Sequence, residues 1–112
     1  MAVLAILNDL ILQSRIETAA KHAGVTVCIA PGVSALPDPP SGESWHLVIL
    51  DLNLALDDPS GLLAAVQAAA PGVALIAYCS HLQVELQARA KRAGCATILP
   101  RSVFVRRLPD LL

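Results

Sequence analysis

Five short runs of consecutive apolar residues, separated by segments of helical periodicity, limit the fold of this chain more than any other feature. Almost every position within a run is apolar, whereas a strand with one face in water would alternate apolar and polar residues. The pattern therefore predicts five strands of a parallel sheet that is buried on both faces. The runs are Ala2 to Leu7, Val25 to Ala30, Leu47 to Leu50, Val73 to Cys79 and Cys95 to Leu99.

Helices are predicted on both sides of this sheet, so the expected fold is a flavodoxin-like, doubly wound five-stranded parallel sheet. Asp58 and Pro59 indicate a helix start, and Asp57 is a further acid at that start. Four prolines in the segment from Pro31 to Ser44 predict a reduced or missing second helix, and Pro109 is expected to end a short last helix. The predicted helices are Leu10 to Ala23, Pro59 to about Ala70, Ser80 to Ala93 and Ser102 to about Leu108.

Length and composition exclude several classes of protein. The 112 residues are enough for one domain, residues 1–112, and 55% of them are apolar, which excludes intrinsic disorder. The formal net charge of −1 gives no basic surface for nucleic acid or anionic membranes. The amino terminus lacks the basic residues of a signal peptide, and no apolar run is long enough for a membrane helix. We expect a cytoplasmic protein with no nucleic-acid or membrane partner.

The cysteines and the first turn argue against two kinds of cofactor site. Cys28, Cys79 and Cys95 are widely separated and form no metal-ligand pattern, and an odd number of isolated cysteines is typical of a reducing compartment. The turn from Leu7 to Leu10 contains no glycine. The glycine-rich phosphate loops of Rossmann and P-loop proteins are therefore absent.

Polar residues follow the predicted strands, where ligands bind in a parallel sheet of this kind. Because the carboxyl ends of parallel strands meet at one edge, we expect two carboxylates, small polar residues and one cation to lie close together there. These residues are Asn8 and Asp9 after the first strand, Asp51 after the third, Cys79 and Ser80 after the fourth, and Arg101 after the fifth.

On these residues the chain resembles a response-regulator receiver domain of two-component signalling, over nearly its whole length. The acidic pair of the family corresponds to Asn8 and Asp9, and the phosphoacceptor corresponds to Asp51, directly after the run Val48 to Leu50. The family's closing lysine and proline correspond to Arg101 and Ser102, at the end of the stretch from Ala93 to Ser102.

The resemblance assigns roles to further positions. Arg101 stands where the family has its lysine, and the serine or threonine of the family falls on Cys79 or on Ser80, between which the sequence does not decide. A phosphoryl group on an aspartate needs a divalent cation beside it, and Mg²⁺ prefers oxygen ligands. The resemblance therefore implies Mg²⁺ on Asp9, Asp51 and the backbone carbonyl near Asn53.

Several of these positions depart from the family pattern. Asn8 removes one carboxylate from the acidic pocket. Arg101 is a planar, permanently charged group, and we expect that it can hold Asp51 in a standing ion pair. Cys79 would supply only a weak S–H donor. Asp9 also fits a simpler role, as the N-cap of the first helix.

These departures favour an atypical receiver-like module that stands alone and acts by protein–protein interaction, with a histidine kinase or a downstream signalling protein as partner. The alternative is a genuine Mg²⁺-dependent phosphoacceptor that a histidine kinase phosphorylates on Asp51. A small flavodoxin-like enzyme is the second alternative, but no Cys/His or Ser/His/Asp arrangement supports it, so no enzymatic activity is expected.

The carboxyl terminus predicts a surface for self-association. A last helix shortened by Pro109 would leave apolar surface uncovered, and exposed apolar patches often mark interfaces. A homodimer or a partner complex is therefore expected through this end of the chain. The interface residues are Val103, Phe104, Leu108, Leu111 and Leu112.

Overall fold

The computed structural model describes residues 1–55 and 58–112 and confirms the predicted sheet. All five strands are parallel, in the order β2-β1-β3-β4-β5. Asp57, predicted as a helix-start residue, lies outside the described residues. The strands are β1 (Ala2–Ile6), β2 (Thr26–Ala30), β3 (Trp45–Asp51), β4 (Ala74–Cys79) and β5 (Ile98–Pro100), and the helices are α1 (Leu10–Ala23), α2 (Ser60–Ala69), α3 (Val84–Arg92) and α4 (Arg101–Leu111).

Two separate apolar cores lie on the two faces of the sheet. On one face, α1 and α4 cover the sheet through residues such as Leu12, Ile16 and Phe104. On the other face, α2 and α3 provide the cover, and every residue of β1, between the two cores, is fully buried. The strand order changes direction between β1 and β3, so a crevice opens beyond their carboxyl ends.

The proline-rich segment between β2 and β3 forms no helix. Residues 31–44 run as bends and turns, and Val33 and Leu36 pack against the core that α2 and α3 cover. Proline lacks a backbone N–H and disfavours helical conformation in the residue before it, so closely spaced prolines prevent a helix here. The prediction of a reduced or missing second helix is confirmed.

Two helix boundaries differ from the sequence prediction. Pro109 does not end the last helix, because α4 continues to Leu111 and the Leu112 N–H still bonds to the carbonyl of Leu108. Helix α3 begins at Val84 and not at Ser80. The Ser80 hydroxyl accepts from the Leu82 N–H, and the Gln83 side chain accepts from the Ser80 N–H, so this pair closes a turn before the helix.

Helix α1 ends at a glycine whose conformation can be tested. Gly24 has φ +70°, in the left-handed region, and a Cβ there would meet nothing within 4 Å. Gly24→Ala should therefore lower the free energy of unfolding by about 1–2 kcal/mol through backbone strain alone. Gly61→Ala in α2, which also has open space around it, is the matched control and should raise stability by up to about 1 kcal/mol. Chemical denaturation measures both, and equal effects would contradict the assignment.

Candidate functional site

Three of the predicted polar residues, Asp9, Asp51 and Arg101, lie at the carboxyl edge of the sheet, where β1, β3 and β5 end. Asp9 follows β1, Asp51 is the last residue of β3, and Arg101 begins α4 directly after β5. Arg101 and Asp9 form an ion pair, and the charge of Asp51 acts on both Arg101 and its neighbour Tyr78. The topology therefore brings together groups that are distant in the sequence.

Asp9 has both carboxylate oxygens engaged. Its Oδ1 accepts hydrogen bonds from the N–H groups of Ile11 at 3.0 Å and Leu12 at 3.2 Å, so Asp9 is the N-cap of α1. Its Oδ2 is paired with the guanidinium of Arg101 at 2.5 Å. These contacts, with the Arg101 hydrogen bond the largest cause, hold the pKa of Asp9 below its usual range.

Arg101 pairs with Asp9 and not with Asp51, so the predicted standing ion pair with Asp51 is wrong. The physical reason is the difference in exposure of the two carboxylates. The side chains of Arg101 and Asp9 keep 46% and 27% of their surface exposed, and the guanidinium there remains hydrated. Asp51 is only 9% exposed, and pairing with it would require burial of the guanidinium at a high desolvation cost.

Asp51 itself is held by the chain that follows it. Its Oδ1 accepts the N–H of Asn53 at 2.9 Å and caps the short 3₁₀ helix Leu52–Leu54. The Asn53 side-chain oxygen in turn accepts a hydrogen bond from Gln83 Nε2 at 2.6 Å. This amide bridge links the segment after β3 to the turn after β4, beside the candidate site.

Tyr78 is a residue of this site that the sequence analysis missed. It stands opposite Asp51 in the ladder between β3 and β4, and its side chain belongs to the core under α1 and α4. Its ring stacks on Phe104 with a centroid distance of 4.7 Å. Burial first, and then the negative charge of Asp51, raise the pKa of the Tyr78 hydroxyl well above its usual range.

The Tyr78 hydroxyl is buried and makes no hydrogen bond within residues 1–55 and 58–112. A buried tyrosine hydroxyl normally finds a partner, so this group is an exception that needs an explanation. The alternation of side chains along a strand is the sequence signal that could have identified Tyr78. Residues two apart share a face, but the ladder register that pairs position 78 with Asp51 becomes known only from the structure.

Neither of the two positions proposed for the family serine or threonine stands opposite Asp51 as Tyr78 does. Cys79 points to the opposite face, into the core under α2 and α3, and burial raises the pKa of its thiol. Ser80 closes the turn before α3. Asn8 is exposed at the start of the edge.

The residues present do not fit a Mg²⁺ ion well. Asp9 already uses both oxygens, Asn8 brings no charge, and Asp51 gives one oxygen to a backbone N–H. Over the described part of the chain, no group of three or more His, Cys, Asp or Glu residues is arranged to hold a metal. The positive charge beside Asp9 is supplied by the chain's own Arg101.

The predicted carboxyl-terminal interface is smaller than expected. Phe104 and Leu108 are not interface residues, because both lie on the side of α4 that packs into the core shared with α1, where they are buried. Val103, Leu111 and Leu112 remain partly exposed.

No protein-family model and no curated protein matches the sequence. Solved structures do match. The receiver domain protein from Methanospirillum hungatei JF-1 has a TM-score of 0.76 and 19% identity over 98% of this chain and 88% of its own. Full-length FixJ from B. japonicum has a TM-score of 0.76 and 21% identity over 98% of this chain, which spans 54% of FixJ.

A third similar structure was determined with magnesium. It is the receiver domain of a sensor histidine kinase from Pseudomonas aeruginosa PAO1, with a magnesium ion in its active-site cleft. Its TM-score is 0.69 with 17% identity, over 97% of this chain and 94% of that chain. These structures establish that the chain has the fold of response-regulator receiver domains, as the sequence resemblance predicted. None of the helices in the described ranges is long and apolar enough to span a membrane.

The ion pair between Asp9 and Arg101 predicts a specific pH dependence. Because the pKa of Asp9 is lower in the folded state than in the unfolded state, the pair stabilises the fold above the unfolded value and this stability is lost as pH falls through the folded value. Asp9→Asn keeps a capping side chain but removes the charge. It should cost about 0.2–1 kcal/mol at neutral pH, the range for exposed pairs.

Unfolding of the wild type and of Asp9→Asn should be compared between neutral pH and strongly acidic pH. The difference in stability should shrink as the pH falls below the usual range of aspartate pKa values. Arg101→Gln, which leaves the cap intact, should show a similar loss of pH dependence. Parallel stability curves for all three proteins would contradict the ion pair.

Proposed function

We propose that this chain is a receiver-like module of two-component-type signalling that acts by binding a protein partner without phosphorylation of Asp51. The single observation that carries this proposal is the complete engagement of Asp9 by the α1 amides and by Arg101. In a phosphoacceptor site this carboxylate would be a ligand of Mg²⁺. Here one oxygen of that carboxylate is paired with the Arg101 guanidinium, and the neutral Asn8 provides no second acid.

The exposed apolar residues of the edge support a role in protein binding. Leu10 and Ile11 at the start of α1, and Leu82 and Val84 at the start of α3, are among the most exposed large apolar side chains of the described residues. They flank the candidate site, because β1 and β4 both end at this edge of the sheet. Apolar side chains that remain in water at one edge favour contact with another protein.

The alternative, a genuine phosphoacceptor, is favoured by the position of Asp51 at the carboxyl end of β3. The second alternative, a small flavodoxin-like enzyme, has less support. Cys79 and Cys95 are buried, and burial raises the pKa of both thiols, which disfavours a reactive thiolate. We expect no enzymatic activity, a protein partner such as a histidine kinase or a downstream signalling protein, and a location in the cytoplasm.

Incubation with Mg²⁺ and acetyl phosphate tests the choice between these two functions. We expect no phosphoryl adduct in the intact mass, because Mg²⁺ would have to displace Arg101 from Asp9 before it could assist transfer. Mg²⁺ with beryllofluoride should likewise leave the amide NMR spectrum unchanged. Asp51→Asn is the matched control. A stoichiometric adduct that forms on the wild type and not on Asp51→Asn would overturn the proposal in favour of the phosphoacceptor.

Self-association through the carboxyl terminus remains a prediction. Sedimentation at increasing concentration should show a rise in average mass for the wild type, and Val103→Glu should reduce it by placing a charge in the predicted interface. Val103 lies outside the two cores, so the variant is expected to fold. Ala64→Glu, exposed on α2, is the control. A wild type that stays monomeric at every concentration would contradict the predicted homodimer.

A further inference from the structure

Tyr78 is the residue of β4 that stands beside Asp51 of β3, so its side chain is close to the Asp51 carboxylate. The two residues pair across the ladder, and both side chains lie on the face that α1 and α4 cover. The charges of Asp51, Asp9 and Arg101 all act on the Tyr78 hydroxyl. A shorter side chain at this position would leave more space beside Asp51 on this face than a tyrosine ring does.

The ring of Tyr78 is fixed, whereas the ion pair next to it is not. Tyr78 is 1% exposed and stacks on Phe104, which is fully buried, so another rotamer would require the core to open. Arg101 is 46% exposed and its long side chain can move away through solvent. Exposed ion pairs are weak and can yield to a better ligand, but a buried aromatic ring cannot.

The unpartnered hydroxyl is a second, independent observation about this position. Phenylalanine would stack on Phe104 equally well and would leave no buried polar atom without a hydrogen bond. The hydroxyl therefore does not serve the packing of the core. The Tyr78 ring stands opposite Asp51 in the ladder between β3 and β4, on the face of the sheet that the Asp51 side chain shares.

From this geometry we propose that Tyr78 determines what the edge of the sheet accepts, by excluding any tetrahedral phosphoryl-like group from Asp51. Removal of the ring, and not replacement of the Arg101 guanidinium, is then the change that opens the site. This inference rests on the proposed function, in which Asp51 is not phosphorylated, and it identifies Tyr78 as the obstacle that remains when the exposed ion pair of Asp9 and Arg101 yields.

The test compares variants that all carry Asn8→Asp, so that the second acid for Mg²⁺ is present in each of them. The probe is Mg²⁺ with beryllofluoride, a tetrahedral phosphoryl analogue, and the readout is the titration of the amide resonances around Asp51. Tyr78→Thr in this background should bind the probe about tenfold more tightly, or better, than Arg101→Lys in the same background. Tyr78→Phe, which keeps the ring, should not bind.

The thermal unfolding of each variant is measured first, because loss of a buried ring destabilises the core. If Tyr78→Thr does not fold, Tyr78→Leu replaces it, since leucine retains apolar volume without reaching the hydroxyl position. Tyr78→Phe should unfold at the same temperature as its parent or higher, because the lost hydroxyl had no partner. A clear decrease in that temperature would show that the hydroxyl makes a stabilising hydrogen bond, and the lack of a partner would then no longer support the inference.

The outcomes separate this inference from the proposed function. Binding of the probe by Arg101→Lys or Tyr78→Phe as tightly as by Tyr78→Thr would overturn the role of the ring, and so would failure of the folded Tyr78→Thr and Tyr78→Leu variants to bind. Neither result affects the proposal that the wild type is not a phosphoacceptor. Only binding by the unmodified wild type would overturn both.

Discussion

The Asp9 carboxylate connects the parts of this molecule on which the candidate site depends. One oxygen holds the first turn of α1, and the other holds Arg101 at the first turn of α4. Both helices cover the same face of the sheet, and they lie on either side of the core that contains Tyr78. A single side chain thus fixes two helix starts and gives the acidic edge a permanent positive charge.

This arrangement changes the chemistry of the edge without changing the fold. A parallel sheet presents the ends of its central strands to solvent whatever residues follow them, so the acids still converge. What differs is the source of the neutralising charge and the space beside Asp51. Arg101 supplies the charge from within the chain, and Tyr78 stands opposite Asp51 in the ladder. The receiver fold is therefore retained with this ion pair at its acidic edge.

The sequence predicted the parallel sheet and the meeting of Asp9, Asp51 and Arg101, because strand ends follow from apolar runs. It did not predict the partner of Arg101, since both carboxylates lie at the same edge and only their exposure decides between them. It offered Cys79 or Ser80 for the position beside Asp51, whereas the ladder places Tyr78 opposite Asp51, because a shift of one residue moves a strand side chain to the other face. Burial of Phe104 was missed because the sequence alone did not show which side of α4 faces the sheet.

The two faces of the sheet are covered in different ways, and this affects how the molecule moves. Helices α1 and α4 are regular and joined by an ion pair, whereas residues 31–44 cover part of the other face without helical hydrogen bonds. Segments with few backbone hydrogen bonds open locally at a lower free energy than packed helices do. Amide protons of residues 31–44 should therefore exchange with solvent sooner than those of α1. Local opening of the native state is expected first on that side of the sheet.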